Sequence, residues 1–259
     1  MTDTIRPRRS VLYMPGSNAR ALEKAKELPA DALILDLEDA VAPNAKAAAR
    51  EQVIGTLDHG GYGSREVVIR VNGSGTEWHA NDLAAAASSK AAAVLLPKVE
   101  GAGQVRAAAA ALPEGMDLWC MIETPLAILH AEEIAAASPK TTCLVMGTSD
   151  LATDLGALHT PHREPFTTSL SICLLAARAY GLAALDGVYL DLKDDTGFEA
   201  ACHQGRQFGF DGKTLIHPRQ VSAANRVFAP SDDEIAEADI IVTAFEQAQA
   251  EGKGVVVVN

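Results

Sequence analysis

Eight times along the chain a short apolar run ends in charged or polar residues. The runs are VLYMPG, ALILDLED, VVIRVN, AAVLLPK, LWCMIE, CLVMG, LDGVYLD and TLIHP. Between most of them lies an Ala-rich stretch long enough for a helix. Strands alternating with helices signal a parallel sheet. Polar groups gathered at the C-terminal ends of several strands are how a (β/α)8 barrel assembles a site. The pattern therefore predicts an α/β fold, a (β/α)8 TIM barrel with an additional C-terminal helix. We expect one domain over 1–259, with 231–259 as a C-terminal extension. A doubly wound open sheet ranks second. It needs a G-x-G-x-x-G turn after the first strand, and Met14-Pro15-Gly16-Ser17-Asn18 is not one.

The strands are expected at 8–16, 32–39, 67–72, 93–98, 117–123, 142–147, 184–191 and 212–217. In the second, Leu35 and Leu37 point one way and Asp36 and Glu38 the other. Ser17 or Asn18 caps a first helix that Pro29 stops, and Asn44 caps a second running to about Leu57. Further helices are expected at 77–89, 101–112, 166–180 and 197–208, with Pro125 and Pro218 opening two more. Residues 153–165, with His159, His162 and Arg163, read as the longest irregular segment. Loops of that length in compact domains are usually functional or mobile. Ser231 and Glu234 form a capping box for an extra helix. The four valines at 255–258 read as a strand that needs a partner.

Composition narrows the function. The 259 residues match the typical size of about 250 for one such barrel. A formal net charge of −12 speaks against nucleic acid or an anionic membrane as partner. The four cysteines are scattered, with no C-x-x-C pair for zinc or redox chemistry. Cys120 and Cys143 read as small core residues. No signal-peptide core and no run of about 18 apolar residues is present, so a cytoplasmic location is expected.

The strand ends carry the candidate chemistry. Glu123 and Asp150 follow the fifth and sixth strands, which lie about 4.8 Å apart if adjacent, so the two carboxylates can share one ion. Mg²⁺ suits such a pair, because it takes one or two carboxylates and fills its other positions with water and substrate oxygens. The alternative is that both acids merely cap helices. Asp36, Glu38 and Asp39 are crowded enough to need a cation or a shared proton. They are read as metal ligands, as holders of metal-bound water, or as salt-bridge partners of Arg70, Lys98 or Arg9. Arg70 would bind a substrate carboxylate bidentately or pair with these acids. Lys98 could form a Schiff base, although the surrounding carboxylates favour a role in tuning charge. Gly147, Thr148 and Ser149 could present N–H groups to an anion. His217 is read equally as a base or as a satisfied histidine. Gly212-Lys213-Thr214 mimics the end of a P-loop, but Gln207 stands where the first glycine should be.

The motifs RRSVLYMPGSN, LDLEDAV, VIRVN, LLPKVE, MIETP, GTSDLATDLG and GFDGKTLIHPRQV, in this order, resemble the citrate lyase β-subunit (CitE-like) branch of the HpcH/HpaI aldolase family. The resemblance spans about residues 9–227. It implies a Mg²⁺-dependent carbon–carbon lyase acting on a short 3-hydroxyacyl thioester. The acyl group would be citryl, malyl or citramalyl, on coenzyme A or an acyl carrier. Products would be a 2-oxo acid (oxaloacetate, glyoxylate or pyruvate) and an acetyl thioester. By position the resemblance puts the metal on Glu123 and Asp150 and the acid half of the substrate on Arg70, Glu123, Gly147 and Thr148. It also implies a homo-oligomer, commonly a trimer. Longer relatives receive a catalytic aspartate from a neighbouring subunit's C-terminal lid. This chain stops near where that segment begins, so Glu38, Asp39 or a metal-bound hydroxide is expected to serve as the base. Three other readings rank lower. They are a metal-dependent aldolase of free 2-oxo acids, a synthase with an added thioesterase step, and a 2-oxo-acid-binding subunit without turnover.

Overall fold

Runs of Val, Ile and Leu at these spacings are buried on both faces, as parallel strands covered by helices must be. The computed structural model describes residues 6–250 and 252. Strands β1 (Ser10–Pro15), β2 (Ala32–Asp36), β3 (Glu66–Arg70), β4 (Ala93–Leu96), β5 (Asp117–Ile122), β6 (Thr141–Met146), β7 (Ala183–Asp186) and β8 (Gly212–Leu215) pair in sequence order. β8 pairs back onto β1, closing the expected (β/α)8 barrel. The surrounding helices are α1 (Ala19–Ala25), α2 (Lys46–His59), α3 (His79–Ala87), α4 (Ala102–Ala111), α5 (Pro125–Leu129), α6 (Ala131–Ala135), α7 (Thr148–Leu155), α8 (Thr167–Ala179), α9 (Asp195–Phe208) and α10 (Val221–Phe228).

The chain divides into two compact units, the first ending at Phe228 and the second beginning at Ala229. The second holds α11 (Asp232–Ala250). The expected capping box starts this helix: Ser231 N–H donates to Glu234 Oε2 at 2.7 Å, and Glu234 N–H to Ser231 Oγ at 3.2 Å. The valine run at 255–258 lies outside the described residues.

Alternation along each strand makes two apolar shells. Val11, Ile34, Val68, Leu95, Trp119, Met121, Val145 and Leu185 fill the barrel interior. The alternate residues, such as Leu12, Leu33, Leu35, Ile69, Leu96 and Leu144, pack against the helices. Full burial of each such side chain stabilises by roughly 1.5–3 kcal/mol. Low in the interior the Arg8 guanidinium lies 5.1 Å from the Trp119 ring centre and is held by Glu66 at 2.7 and 2.9 Å. All four cysteines are free and buried, as core residues.

The structure corrects several boundaries. Asn44 does not cap the second helix: it sits inside a 3-10 turn, Pro43–Ala45, and α2 starts at Lys46 without a side-chain cap. Asn18 does cap α1, accepting from Ala21 N–H at 3.1 Å. β7 stops at Asp186 rather than 191: its pairing with β8 ends at Asp186 and Lys213, although β8 runs on to Leu215. The irregular segment begins later than 153, since the polar run Thr148–Leu155 winds into α7 and ends at Gly156 in the left-handed region. Arg9 binds Asp31, not the acids after β2.

One feature of the wall went unread in the sequence. Asp186 and Lys213 are register partners on β7 and β8, facing outward beneath α9. Lys213 Nζ donates to Asp186 Oδ2 at 2.7 Å, and Arg163 Nη1 reaches both carboxylate oxygens at 2.7 and 2.9 Å. Two cations hold the Asp186 carboxyl below its ordinary value, although burial opposes them. The lysine of the P-loop look-alike is therefore structural. Removing one member of a buried pair leaves an uncompensated charge and typically costs 3–5 kcal/mol. Asp186→Ala should lose about that much in urea denaturation; a loss under about 1 kcal/mol would show the pair to be dispensable.

Candidate functional site

The C-terminal mouth of the barrel opens into a cavity of about 360 Å³. Its lining includes Asp36, Asp39, Arg70, Glu123, Gly147, Thr148 and Asp150. Almost all the expected site residues therefore meet in one place. Glu38 is the exception: it lies behind the lining, between Arg70 and Lys98.

Arg70 and Asp36 are register partners at the ends of β3 and β2. Side by side on parallel strands, they form a two-pronged pair, Nε to Oδ1 at 2.7 Å and Nη2 to Oδ2 at 2.6 Å. Asp36 also accepts the N–H groups of Glu38 (2.9 Å) and Ala40 (3.1 Å). With four donors on two oxygens, Asp36 is a holder of Arg70 and of the loop after β2 rather than a ligand. Lys46 Nζ and Asn72 Nδ2 fasten the same loop through the carbonyls of Leu37 and Glu38. Nη1 is the arginine's remaining nitrogen. It lies 2.9 Å from Glu38 Oε2 and 3.5 Å from Asp39.

Lys98 follows β4 with φ of 51°, an uncommon conformation for a side-chain-bearing residue. The turn it makes has two uses. Its N–H donates to Glu123 Oε1 at 2.7 Å, and its Nζ lies 3.0 Å from Glu38 and 3.8 Å from both Asp39 and Asp150. Burial works to lower the ammonium's pKa, but the carboxylates outweigh it and raise it. A Schiff-base lysine needs the opposite shift, so Lys98 serves charge balance.

Glu123 and Asp150 flank the cavity from β5 and β6. Glu123 is buried, and burial pushes its carboxyl up to about 8. The charges of Glu38 and Asp150 add to the rise, while the Lys98 N–H and Arg70 oppose it. Asp150 sits in the first turn of α7, half exposed, rather than capping a loop. Gly147, next to Glu123, has its N–H bound to the Ile122 carbonyl. The unpaired N–H groups of the first turn thus belong to Thr148 and the residues after it. His217 is neither base nor ligand here: its ring caps the 3-10 turn Pro218–Gln220, accepting from Arg219 N–H at 3.2 Å.

Five carboxylates (Asp36, Glu38, Asp39, Glu123, Asp150) crowd two cations (Arg70, Lys98) at this mouth. Glu123 is the carboxyl least able to hold its charge there, and among the described residues no donor reaches its Oε2. Among the described residues, no group of three or more His, Cys, Asp or Glu is arranged to hold a metal by itself. That donor set fits Mg²⁺, which needs one or two carboxylates and keeps oxygen positions for water and substrate, and not a metal that demands a full protein cage. Reasoning from strand ends missed the rest of the lining, including Tyr13, Met121, Val188, Leu190, Thr214 and Ile216. Period-two alternation from Val11 would have placed Tyr13 inside the barrel.

The sequence and the barrel have known relatives. Residues 9–218 match the model of the HpcH/HpaI aldolase/citrate lyase family. The chain is 52% identical over 259 residues to a (3S)-malyl-CoA thioesterase of Cereibacter sphaeroides, covering 100% of this chain and 90% of the relative. It is 38% identical to citrate lyase subunit beta of Escherichia coli, covering 98% and 87%. Among solved structures, the citrate lyase beta subunit of M. tuberculosis complexed with oxaloacetate and magnesium superposes with a TM-score of 0.75 at 34% identity, covering 86% of this chain and 98% of that one.

Gly147 tests how tightly the site is built. A Cβ there would lie 2.3 Å from Glu123 Cβ and 2.6 Å from its Oε2. Gly147→Ala should cost about 1–3 kcal/mol in a urea melt through overpacking. Gly103→Ala, with open space around it in α4, should stabilise by roughly 0.5–1 kcal/mol. Equal effects at the two positions would show that Gly147 does not confine Glu123.

Proposed function

The chain belongs to the HpcH/HpaI aldolase/citrate lyase family, and from that premise we propose that it is a Mg²⁺-dependent enzyme that hydrolyses a short 3-hydroxyacyl thioester, (3S)-malyl-CoA. The observation that carries the reaction type is the 52% identity along the whole chain to proteins named for that hydrolysis, against 38% to citrate lyase subunit beta. It reverses the order reached from sequence, where carbon–carbon cleavage led and a thioesterase step ranked lower. The cavity supports the substrate class. At about 360 Å³ it admits the acyl group and leaves a CoA carrier outside.

Glu123 and Asp150 would hold Mg²⁺, and Gly147 keeps room for Glu123 beside the next strand. When bound, the ion supplies Lewis-acid polarisation of the substrate's oxygens and offsets the surplus carboxylate charge. Arg70 Nη1, held rigidly by the grip of Asp36 on the other two nitrogens, offers fixed positive charge to the acid half. Glu38 anchors Arg70 and Lys98. Asp39 is left as the base, since it lines the cavity and is half exposed. It would take a proton from the attacking water as the water oxygen adds to the thioester carbonyl carbon. The C–S bond then breaks, the proton passes to the thiolate, and malate and free CoA result.

The second reading is cleavage of the C2–C3 bond, favoured by the 38% identity to citrate lyase subunit beta and by the structural match to a citrate lyase subunit that binds oxaloacetate and magnesium. In that case Asp39 takes the proton of the 3-hydroxyl instead, the C2–C3 bond breaks to glyoxylate and a thioester enolate, and the proton passes to the enolate carbon to give the acetyl thioester. No described helix is long and apolar enough to cross a membrane, and we propose a cytoplasmic homo-oligomer, with a trimer favoured.

Incubation with (3S)-malyl-CoA and Mg²⁺, with malate, glyoxylate, free CoA and acetyl-CoA quantified, separates the readings. Malate with free CoA is the expected result. Glyoxylate with acetyl-CoA would transfer the assignment to the lyase, and no turnover of any kind would sink both. Asp150→Asn, or chelation of Mg²⁺, should lower kcat/KM by at least roughly 100-fold, as expected when several kcal/mol of metal assistance is withdrawn.

A further inference from the structure

At the end of the barrel opposite the catalytic mouth, we propose a second binding site, for a phosphate group. A cavity of about 310 Å³ opens there, among the segments that lead into β1, β3 and β4. Its lining holds three cations, Arg6, Arg65 and Lys90, and no described Asp or Glu. In a chain with 34 acidic and 22 basic residues, that grouping runs against the composition.

Each of these cations is short of a carboxylate. Arg65 donates from Nε to the Leu28 carbonyl at 2.6 Å and from Nη1 to the Tyr62 carbonyl at 3.0 Å. Lys90 Nζ donates to the Asp58 carbonyl at 3.0 Å. Carbonyls orient a cation without neutralising it. Arg6 has only Glu66, at 4.0 Å, and Arg8 already binds both oxygens of that carboxylate at 2.7 and 2.9 Å. Three uncompensated charges around one cavity repel one another, and an anion between them replaces that repulsion with attraction.

The loop at 60–63 leaves the anion room. Gly60, Gly61 and Gly63 have φ of 70°, 96° and 62°, a region that side-chain-bearing residues rarely adopt. A Cβ at Gly63 would lie 3.6 Å from Arg65 Nη1, so a side chain there would crowd the guanidinium. Among the described residues the N–H groups of Gly61 and Gly63 have no acceptor, and loop N–H groups of this kind bind oxyanions. A phosphate group suits the set. It carries up to two charges against three cations, and it offers oxygens to an arginine fork and a lysine point charge at once.

Inorganic phosphate and AMP are the probes, titrated calorimetrically without Mg²⁺ into wild type, Lys90→Gln, Arg6→Gln and Arg106→Gln. Lys90 and Arg6 are exposed, so their removal leaves no buried group unpaired. Arg106, exposed on α4, is the control for net charge alone. Loss of one hydrogen bond to a charged group predicts roughly 10-fold weaker binding in Lys90→Gln and in Arg6→Gln. Affinity in Arg106→Gln, and the melting temperature of all four proteins without anion, should not change. Given that pattern, AMP binding no tighter than phosphate makes the free ion the ligand, and tighter AMP binding makes it a phosphate monoester. No saturable binding by wild type, equal affinity in all four proteins, or an equal loss in all three variants overturns the proposal.

Discussion

The Arg70–Asp36 pair is the constraint from which the rest of the mouth follows. Both side chains are nearly inaccessible to solvent, at 8% and 1%. Buried charges are stable only when every partner is in place. Here the register of β2 against β3 supplies that condition, because it sets the two residues side by side. Asp36 then spends its remaining acceptor capacity on the backbone of the following loop. That loop carries Glu38 and Asp39, Glu38 positions Lys98, and the Lys98 backbone meets Glu123. One ion pair thus orders a chain of contacts running from β2 around to β5.

Two charged clusters in the same barrel show opposite balances, and the contrast separates structure from function. On the outer wall one carboxylate, Asp186, faces two cations, and its pKa is lowered. That cluster is sealed under a helix. At the mouth five carboxylates face two cations, and burial, helped by the charges of Glu38 and Asp150, pushes Glu123 up to about 8. That imbalance, in a cleft, supports the proposed Mg²⁺ site. Asp150 and Asp39 are the more exposed of its carboxylates.

Much of this was legible in the chain because a barrel ties site to strand ends. Every strand was found from its apolar run, and Arg70, Glu123 and Asp150, singled out because they end or follow such runs, line one cavity. What escaped did so for identifiable reasons. The first turn of α7 is Thr-Ser-Asp, a composition that reads as a loop. The β7 run continues with apolar residues to Leu192, so nothing in its composition marks the end of pairing at Asp186. Asp186 and Lys213 face outward, where a charged side chain is ordinarily solvated, and only the approach of α9 at Gly205 and the reach of Arg163 bury them. Tyr13 escaped because an aromatic in an apolar strand reads as core, and only the closed barrel shows that it lines the cavity.

The two readings of the reaction need not differ at the floor of the cavity. Both require the acid half to be held by the same cation and the same arginine. They diverge at the rim, in which proton Asp39 removes. Water attack needs an open approach to the thioester carbonyl, whereas bond cleavage needs the 3-hydroxyl turned toward the base. A half-exposed aspartate on a loop can meet either demand, while the buried Asp36, Arg70 and Glu123 cannot be rearranged without unpairing a charge. Chemistry in such a barrel is therefore free to vary where side chains meet solvent and is fixed where register and burial hold them.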